Sequence, residues 1–253
     1  MFRSLLAVLL LWLAALAPAA AQPLRLATGN DYAPFADQHE PEGGALTALV
    51  RAAFAAIGRD TEVTHTSWNR ALEETRQGRF DVTAPYVLGP ERQAYFLNSS
   101  ILLPVDSYIL SAARREPKLP LSNATPPDGL GHRACVPLGW HPHAVLQPLL
   151  DNGSAIRIDP AYAASCLKMI LADRADFFIV NKPVAWHLMR RETLTPQQFR
   201  FSEQPVGRTS LHLLISRAHP DALKLLADFE RGLDNIRSDG SAEKLLRRLG
   251  VVE

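Results

Sequence analysis

One arginine and three aromatic residues are the side chains of this sequence with the clearest chemistry. Arg92 follows a predicted strand, and its guanidinium is always charged and presents a planar fork that can bond both oxygens of a carboxylate. Tyr32, Trp68 and Trp140 offer aromatic faces, which supply apolar contact area and attract cations. Each has a plainer alternative, which is a surface ion pair with Glu91 or Asp81 for Arg92 and core packing for the aromatic residues. These residue types suit the binding of a small organic molecule.

Motifs for catalysis and metal binding are weak. The sequence has no Gly-rich phosphate loop, no His-Glu-x-x-His helix and no Gly-x-Ser-x-Gly elbow. Ser165-Cys-Leu-Lys168 has the Ser-x-x-Lys spelling of penicillin-recognising enzymes, but their Ser-Asp-Asn and Lys-Thr-Gly partners are absent. His141 and His143 have no third ligand nearby in sequence, which favours a polar turn over a metal site. We therefore expect no catalytic residue, no metal and no cofactor.

Short strands and helix-length segments alternate along the chain, and these elements must position the residues above. The hydrophobic pattern predicts strands at 24–28, 61–66 and 80–84, separated by helices at 46–57 and 68–78. Such alternation indicates parallel strands with right-handed crossovers, and therefore an α/β sheet.

The same pattern restarts after a strand at 105–112 and a polar, proline-rich stretch at 114–131. Two α/β lobes are therefore expected. The elements of the second half are strands at 133–137, 155–158, 176–180 and 210–216, and helices at 144–150, 163–172, 184–190, 220–236 and 242–249.

Composition and the first 21 residues indicate an exported globular protein. The 253 residues carry 27 Lys and Arg against 26 Asp and Glu, a net charge of +1, and 47% are hydrophobic. This balance argues against nucleic-acid binding and intrinsic disorder. Arg3, a twelve-residue apolar run at 5–16 and Ala19-x-Ala21 are typical of a cleaved secretory signal peptide. A run of that length is too short to cross a membrane core of about 30 Å, so we expect a periplasmic protein.

The two cysteines, Cys135 and Cys166, both lie in the expected mature chain. An even number of cysteines in an oxidising compartment permits a disulfide. The pair lacks the Cys-x-x-Cys spacing that zinc sites use. We predict that they form a disulfide, with two buried thiols as the alternative.

Short motifs follow one another along the mature chain. They are Tyr32-Ala-Pro-Phe35; Trp68 with Leu72, Gly78 and Asp81; Gly89-Pro-Glu-Arg92 with Phe96 and Ser99; Gly131-His-Arg-Ala-Cys-Val136 with Gly139-Trp140; Arg174-Ala-Asp-Phe-Phe-Ile179; and Pro220-Asp221, Asp239-Gly240 and Lys244-Leu245 to Leu249-Gly250. In this order they resemble the family 3 periplasmic solute-binding proteins, the extracellular receptors of polar amino-acid ABC importers. The resemblance covers most of the mature chain.

The resemblance implies a type II periplasmic-binding-protein fold, in which two α/β lobes are joined by two hinge strands. It divides the chain into a signal peptide at 1–21, the first part of lobe 1 at 22–109, lobe 2 at 110–206, and a return to lobe 1 with the carboxy-terminal helices at 207–253.

The same resemblance assigns ligand-binding roles. Arg92 is similar to the family arginine that grips the ligand carboxylate, and Tyr32 and Trp68 match the two positions that sandwich a ligand. Trp140 is a further candidate from its place at a turn of the second lobe, where it either closes over the ligand or packs against the hinge. Asn181 stands where amino-acid receptors of the family carry the Asp that binds the ligand ammonium. Because an amide carries no charge, this substitution argues against a standard α-amino acid and for an anionic or neutral ligand.

We therefore expect a receptor, not an enzyme, that captures a small polar or carboxylate-bearing molecule by hinge closure. By the resemblance it is a monomer that delivers its ligand to an inner-membrane ABC permease. Cyclohexadienyl dehydratases and sensor input domains resemble the same family and remain alternatives. A dehydratase needs a positioned acid, for which Asp31, Glu91 and the His141 pair are the candidates.

Overall fold

The computed structural model describes residues 22–116 and 131–252. The predicted signal peptide and most of the polar stretch at 114–131 lie outside the described residues. The strands are β1 (Leu24–Thr28), β2 (Thr61–His65), β3 (Val82–Val87), β4 (Phe96–Asn98), β5 (Leu103–Ala112), β6 (His132–Cys135), β7 (Ala155–Ile158), β8 (Phe177–Val180), β9 (Phe199–Phe201) and β10 (Gly207–Ser216). The helices are α1 (Ala45–Ala55), α2 (Trp68–Arg76), α3 (Pro90–Tyr95), α4 (Gln147–Asp151), α5 (Ala163–Leu171), α6 (Lys182–Arg191), α7 (Ala222–Ser238) and α8 (Ser241–Arg248).

Each half of the chain builds a parallel three-stranded unit. In the first lobe β1 pairs with β2 on one side and β3 on the other. In the second lobe β6 lies in the same way between β7 and β8. Parallel neighbours cannot be joined by a tight turn, so a helix or a longer connection separates each pair in sequence. The predicted two-lobed α/β class is confirmed.

Two long antiparallel strands, β5 and β10, join the lobes. Residues 103–107 of β5 pair with residues 207–211 of β10. Beyond this segment β10 continues beside β3 and β4, whereas β5 continues beside β8 and β9. The strand order is therefore β2-β1-β3-β10-β5-β8-β6-β7. The boundaries at 109/110 and 206/207 stay predictions, and both lie in or next to these two strands.

The carboxy-terminal helix α7 completes the first lobe by packing on α1. Phe229 of α7 contacts Phe54 of α1 with ring centroids 5.1 Å apart. The two backbones approach so closely at Gly232 that an added Cβ would lie 2.0 Å from the carbonyl oxygen of Ala53. Such contact allows only glycine at this position.

An arginine on the central strand of each lobe clamps an aspartate. Arg25 of β1 donates from its backbone and its guanidinium to the Asp81 carboxylate at 2.6–3.2 Å. Arg133 of β6 makes the equivalent contacts to Asp176 at 2.7–3.2 Å. Burial alone would raise the pKa of each aspartate, but the arginine hydrogen bonds and charge bring the pKa below its ordinary value. Both aspartates come immediately before the third strand of their lobe.

The second lobe contains the Cys135–Cys166 disulfide, with Cα atoms 5.7 Å apart. It ties the end of β6 to α5. Among the described residues no helix is both long enough and apolar enough to cross a bilayer.

Several elements differ from the sequence prediction. The helix α3 and the short strands β4 and β9 are absent from it, because three to six residues are too few to show a hydrophobic period. The strand predicted at 80–84 begins at Val82 and continues to Val87. The extension matters because Tyr86 and Val87 line the central cavity.

We predict that Asp81→Asn and Asp176→Asn each lower the free energy of unfolding at pH 7 by about 1 to 2 kcal/mol, since each loses charge-assisted hydrogen bonds to a partly exposed arginine. A lowered folded-state pKa stabilises the protein above the unfolded pKa of about 3.9. That contribution is lost as the pH falls through the folded-state pKa. Urea unfolding should therefore show a smaller difference from wild type at pH 3. Asp234→Asn, at an exposed position on α7, is the control, and an equal loss at both pH values would contradict the argument.

Candidate functional site

A cavity of about 410 Å³ lies between the two lobes. Loops and strands of both lobes and both joining strands contribute to its wall. All five residues predicted to bind ligand line this cavity, and their ligand contacts stay predictions. They are Tyr32, Trp68, Arg92, Trp140 and Asn181.

The aromatic residues pack against one another at right angles. The Tyr32 ring lies 5.0 Å from that of Trp140 and 6.1 Å from that of Trp68, both edge to face. Trp68 in turn stands perpendicular to Tyr86 at 5.4 Å. Edge-to-face contact leaves no gap between Tyr32 and Trp68 for a sandwiched ligand in this arrangement. A ligand would instead contact the faces that remain turned to the cavity.

Hydrogen bonds hold these rings in place. The Trp68 indole N–H donates to the carbonyl of Asn30 at 2.8 Å. The Tyr86 hydroxyl donates to the carbonyl of Trp68, also at 2.8 Å. Because both polar groups are already bonded to backbone, the two side chains present mainly apolar surface to the cavity.

Asn181 connects the lobes. Its Oδ1 accepts a 2.8 Å hydrogen bond from the Tyr32 hydroxyl, and its Nδ2 donates to the Asp106 carbonyl and the Ser107 hydroxyl. Burial raises the pKa of the Tyr32 hydroxyl, which therefore remains a donor. Both ends of the Asn181 amide thus have protein partners.

Arg92 is a cation without a carboxylate partner among the described residues. Its guanidinium donates to the carbonyls of Val87 at 2.7 Å and Gly139 at 3.3 Å. It also lies over the Tyr86 ring, 4.9 Å from the centroid. Burial lowers the pKa of Arg92, yet an arginine stays charged at neutral pH. Asp81, one partner considered from sequence, is bound to Arg25 instead.

No Asp or Glu belongs to the cavity wall within the described ranges. The other arginine of the wall, Arg208, forms an exposed ion pair with Asp106 at 2.8 Å. The cavity is therefore electropositive around Arg92. Such a site attracts anions and repels cations.

Sequence reasoning missed several residues of the wall, including Tyr86, Ser107, Thr209 and His212. These residues reach the cavity through the pairing of β10 with β3 and β5. That pairing joins segments more than a hundred residues apart in the sequence, so no local sequence pattern predicts it.

His141 and His143 also line the cavity. His141 Nδ1 lies 2.8 Å from the carbonyl of Pro142, as in the predicted polar turn. Burial lowers the pKa of His143, whose Nδ1 accepts from the Val145 N–H at 3.3 Å. In residues 22–116 and 131–252 no group of three or more His, Cys, Asp or Glu side chains could hold a metal ion.

Of the two carboxylates considered as catalytic acids, neither lines the cavity. Glu91 faces a neighbouring groove at the surface. Asp31 binds the Arg191 guanidinium and accepts a hydrogen bond from the backbone N–H of Ala163. Both of its carboxylate oxygens are therefore occupied.

Asp31 belongs to a group of contacts between the lobes outside the cavity. Arg191, at the end of α6, bridges Asp31 and the buried Asp37, with 3.5 Å to the latter. Near it, His187 lies 3.3 Å from Glu40. Side chains of the two lobes therefore contact one another directly outside the cavity.

This fold and cleft match a known family of proteins. The chain belongs to the bacterial extracellular solute-binding proteins, family 3, whose family model matches residues 24–250. None of the curated proteins compared with the chain matches it.

Solved structures of low sequence identity share the fold. A histidine kinase sensor domain with similarity to periplasmic binding proteins is 19% identical, with a TM-score of 0.73 over 92% of this chain and 99% of that one. An L-arginine-bound substrate-binding protein of an amino acid ABC transporter from Streptococcus pneumoniae is 17% identical, with a TM-score of 0.67 over 90% and 94%. An ancestral amino acid-binding protein, a precursor of cyclohexadienyl dehydratase, is 20% identical, with a TM-score of 0.67 over 90% and 94%.

We predict that Arg191→Ala shifts the ligand-free protein toward an open arrangement. A partly exposed ion pair changes such an equilibrium by about two- to fivefold. Small-angle X-ray scattering should show a larger radius of gyration than for wild type. Arg190→Ala, the exposed neighbour on the same helix, should leave it unchanged. Identical scattering from all three proteins would contradict a role of Arg191 in closure.

Proposed function

We propose that the protein is a periplasmic receptor for a small organic carboxylate that lacks an ammonium group, and that it delivers this ligand to an ABC-type importer. The observation that carries the proposal is the charge of the cleft. Among the described residues, Arg92 is a cation of the wall without a carboxylate partner, and no acidic side chain lines the cavity. A ligand carboxylate supplies the missing countercharge and fits the guanidinium fork.

The charges of the cavity wall also disfavour α-amino acids as ligands. A ligand ammonium enclosed in this cavity loses its hydration and gains no carboxylate in return. The amide oxygen of Asn181 already accepts a hydrogen bond from the Tyr32 hydroxyl, so it has little hydrogen-bonding capacity left for a ligand ammonium. The electropositive field of Arg92 adds repulsion.

The body of the ligand should be apolar or aromatic. Trp68, Tyr86 and Trp140 present ring surface to a cavity of about 410 Å³, a volume typical of small-molecule sites. The rings are held by their own packing and hydrogen bonds. Preorganised surface of this kind binds without a large ordering cost.

Capture would occur by closure about β5 and β10. A ligand favours the closed state by the difference in its affinity for the two states. Family membership and an ABC-transporter substrate-binding protein among the structural relatives support delivery to an importer. The signal-like first 21 residues support export to the periplasm.

A dehydratase has weaker support from the cavity. Its wall contains no carboxylic acid among the described residues, although His141 and His143 are present. A bound ligand should therefore be recovered unchanged. Mass spectrometry of a ligand incubated with the protein tests this, and conversion to a product lighter by water and carbon dioxide would contradict a purely binding role.

We predict that Arg92→Ala weakens binding of the best carboxylate at least about a hundredfold, because a charged, enclosed hydrogen-bonding partner is lost. Isothermal titration calorimetry after a thermal-shift screen of aromatic and aliphatic acids measures the effect. Arg92→Lys should be intermediate, since it keeps the charge but not the planar fork. The melting temperature should stay within a few degrees of wild type.

Arg208→Ala is the matched control, because Arg208 lines the same cavity but is already paired with Asp106. We expect a loss of less than tenfold from this variant. Equal losses from both variants would show that general positive charge, rather than contact with Arg92, attracts the ligand. Unchanged affinity in Arg92→Ala would overturn the proposal.

A further inference from the structure

His212 is a buried side chain of the cavity wall with one unused polar atom. The residue is 7% exposed and lies on β10. Its Nδ1 is 2.7 Å from the carbonyl oxygen of Ser99. Because a carbonyl can only accept, the hydrogen bond assigns the proton to Nδ1, and in this tautomer of the imidazole Nε2 is an acceptor. Within the described part of the chain Nε2 has no hydrogen-bond partner.

The strand register places His212 close to the cation of the site. His212 is paired with Tyr86 across β10 and β3. Directly opposed residues of an antiparallel pair project from the same face with Cβ atoms about 5 Å apart. Arg92 lies over the ring of that same Tyr86. A single small ligand can therefore reach both the Arg92 guanidinium and the His212 ring.

Most other polar side-chain atoms around this point have partners within the protein. The Tyr32, Tyr86 and Trp68 donors and the Asn181 amide are all bonded. The hydroxyls of Ser107 and Thr209 are bonded to each other at 2.9 Å. His212 Nε2 is not among the fully buried polar atoms that lack a partner, so it is accessible from the cavity and remains an acceptor for the ligand.

We propose that the ligand is a hydroxycarboxylate, whose hydroxyl donates to His212 Nε2 while its carboxylate binds Arg92. This inference rests on the proposed function and specifies its ligand class. An ammonium is also a donor, but it would bring a second cation beside Arg92 into a cavity without a lining carboxylate among the described residues. A hydroxyl supplies the same hydrogen bond without the charge.

A matched series of probes tests the class directly. 3-Phenyllactate, 3-phenylpropionate and phenylalanine differ only in carrying a hydroxyl, a hydrogen or an ammonium at one carbon; lactate, propionate and alanine form the same series with a smaller body. Titration calorimetry on the wild-type chain should give the hydroxy acid about five- to tenfold tighter binding than the deoxy acid in at least one series. The amino acid should bind most weakly.

Two variants at His212 separate its role from structural effects. His212→Asn keeps a donor near Nδ1 for the Ser99 carbonyl but has no atom at the position of Nε2. It should abolish the preference for the hydroxy acid and leave affinity for the deoxy acid within about twofold. His212→Gln, whose amide oxygen can reach the Nε2 position, should restore part of the preference. Circular dichroism and melting temperature confirm that each variant is folded.

The outcomes distinguish the two proposals. If wild type prefers the deoxy acid, or if folded His212→Asn retains the full preference for the hydroxy acid, the role of His212 is overturned while the carboxylate receptor stands. If Arg92→Ala binds all the acids as well as wild type does, or if no acid of either series binds at millimolar concentration, the proposed function itself fails. Tightest binding of the amino acid contradicts both.

Discussion

The antiparallel hydrogen bonding between β5 and β10 is the constraint on which both the cleft and its chemistry depend. Each lobe has its own parallel strands, but the cavity wall draws on both joining strands at once. Ser107 and Thr209 meet across this pair, and Asn181 is anchored to the backbone of Asp106 on β5. Further along β10, pairing with β3 brings His212 beside Tyr86. Because side chains of a sheet alternate between faces, a shift of one residue in this register would turn the cavity residues away. The two strands that join the lobes therefore also fix the composition of the site.

The energetics of the cleft follow from one incompletely compensated charge. Arg92 binds two carbonyls and an aromatic face, which orient the guanidinium without neutralising it. Elsewhere in the protein partly exposed arginines are matched with more deeply buried aspartates, as at Arg25–Asp81 and Arg133–Asp176. Those matched pairs stabilise the individual lobes. Arg92 has no such partner among the described residues, and beside a cation of this kind in an enclosed cavity an anion gains most, since removal of water strengthens their attraction.

Much of the fold could be predicted from the sequence because it depends on local patterns. The alternation of strands and helices gave two α/β lobes, and the Tyr32, Trp68 and Arg92 motifs identified the region of the cleft. The missed features depend on contacts distant in sequence. The place of His212 is set by a strand 125 residues away, and the right-angled packing of Tyr32 depends on Trp140 of the other lobe. Sequence patterns also do not show whether an arginine has a countercharge in space. The chemical character of the site, more than its position, therefore needed the structure.

Contacts between the lobes affect how much free energy a ligand must supply to close the cleft. In many binding proteins the ligand itself bridges the cleft, so that closure and binding are nearly one event. Here the Tyr32–Asn181 hydrogen bond and the Arg191 bridge to Asp31 and Asp37 already connect the lobes. Side chains of the protein thus contribute part of the closing free energy that a ligand would otherwise supply. A higher population of the binding-competent state raises the apparent affinity in proportion. On the proposed function, a small carboxylate with few polar groups needs only a modest set of contacts, because these side-chain pairs between the lobes add to the contacts of Arg92 and the aromatic faces.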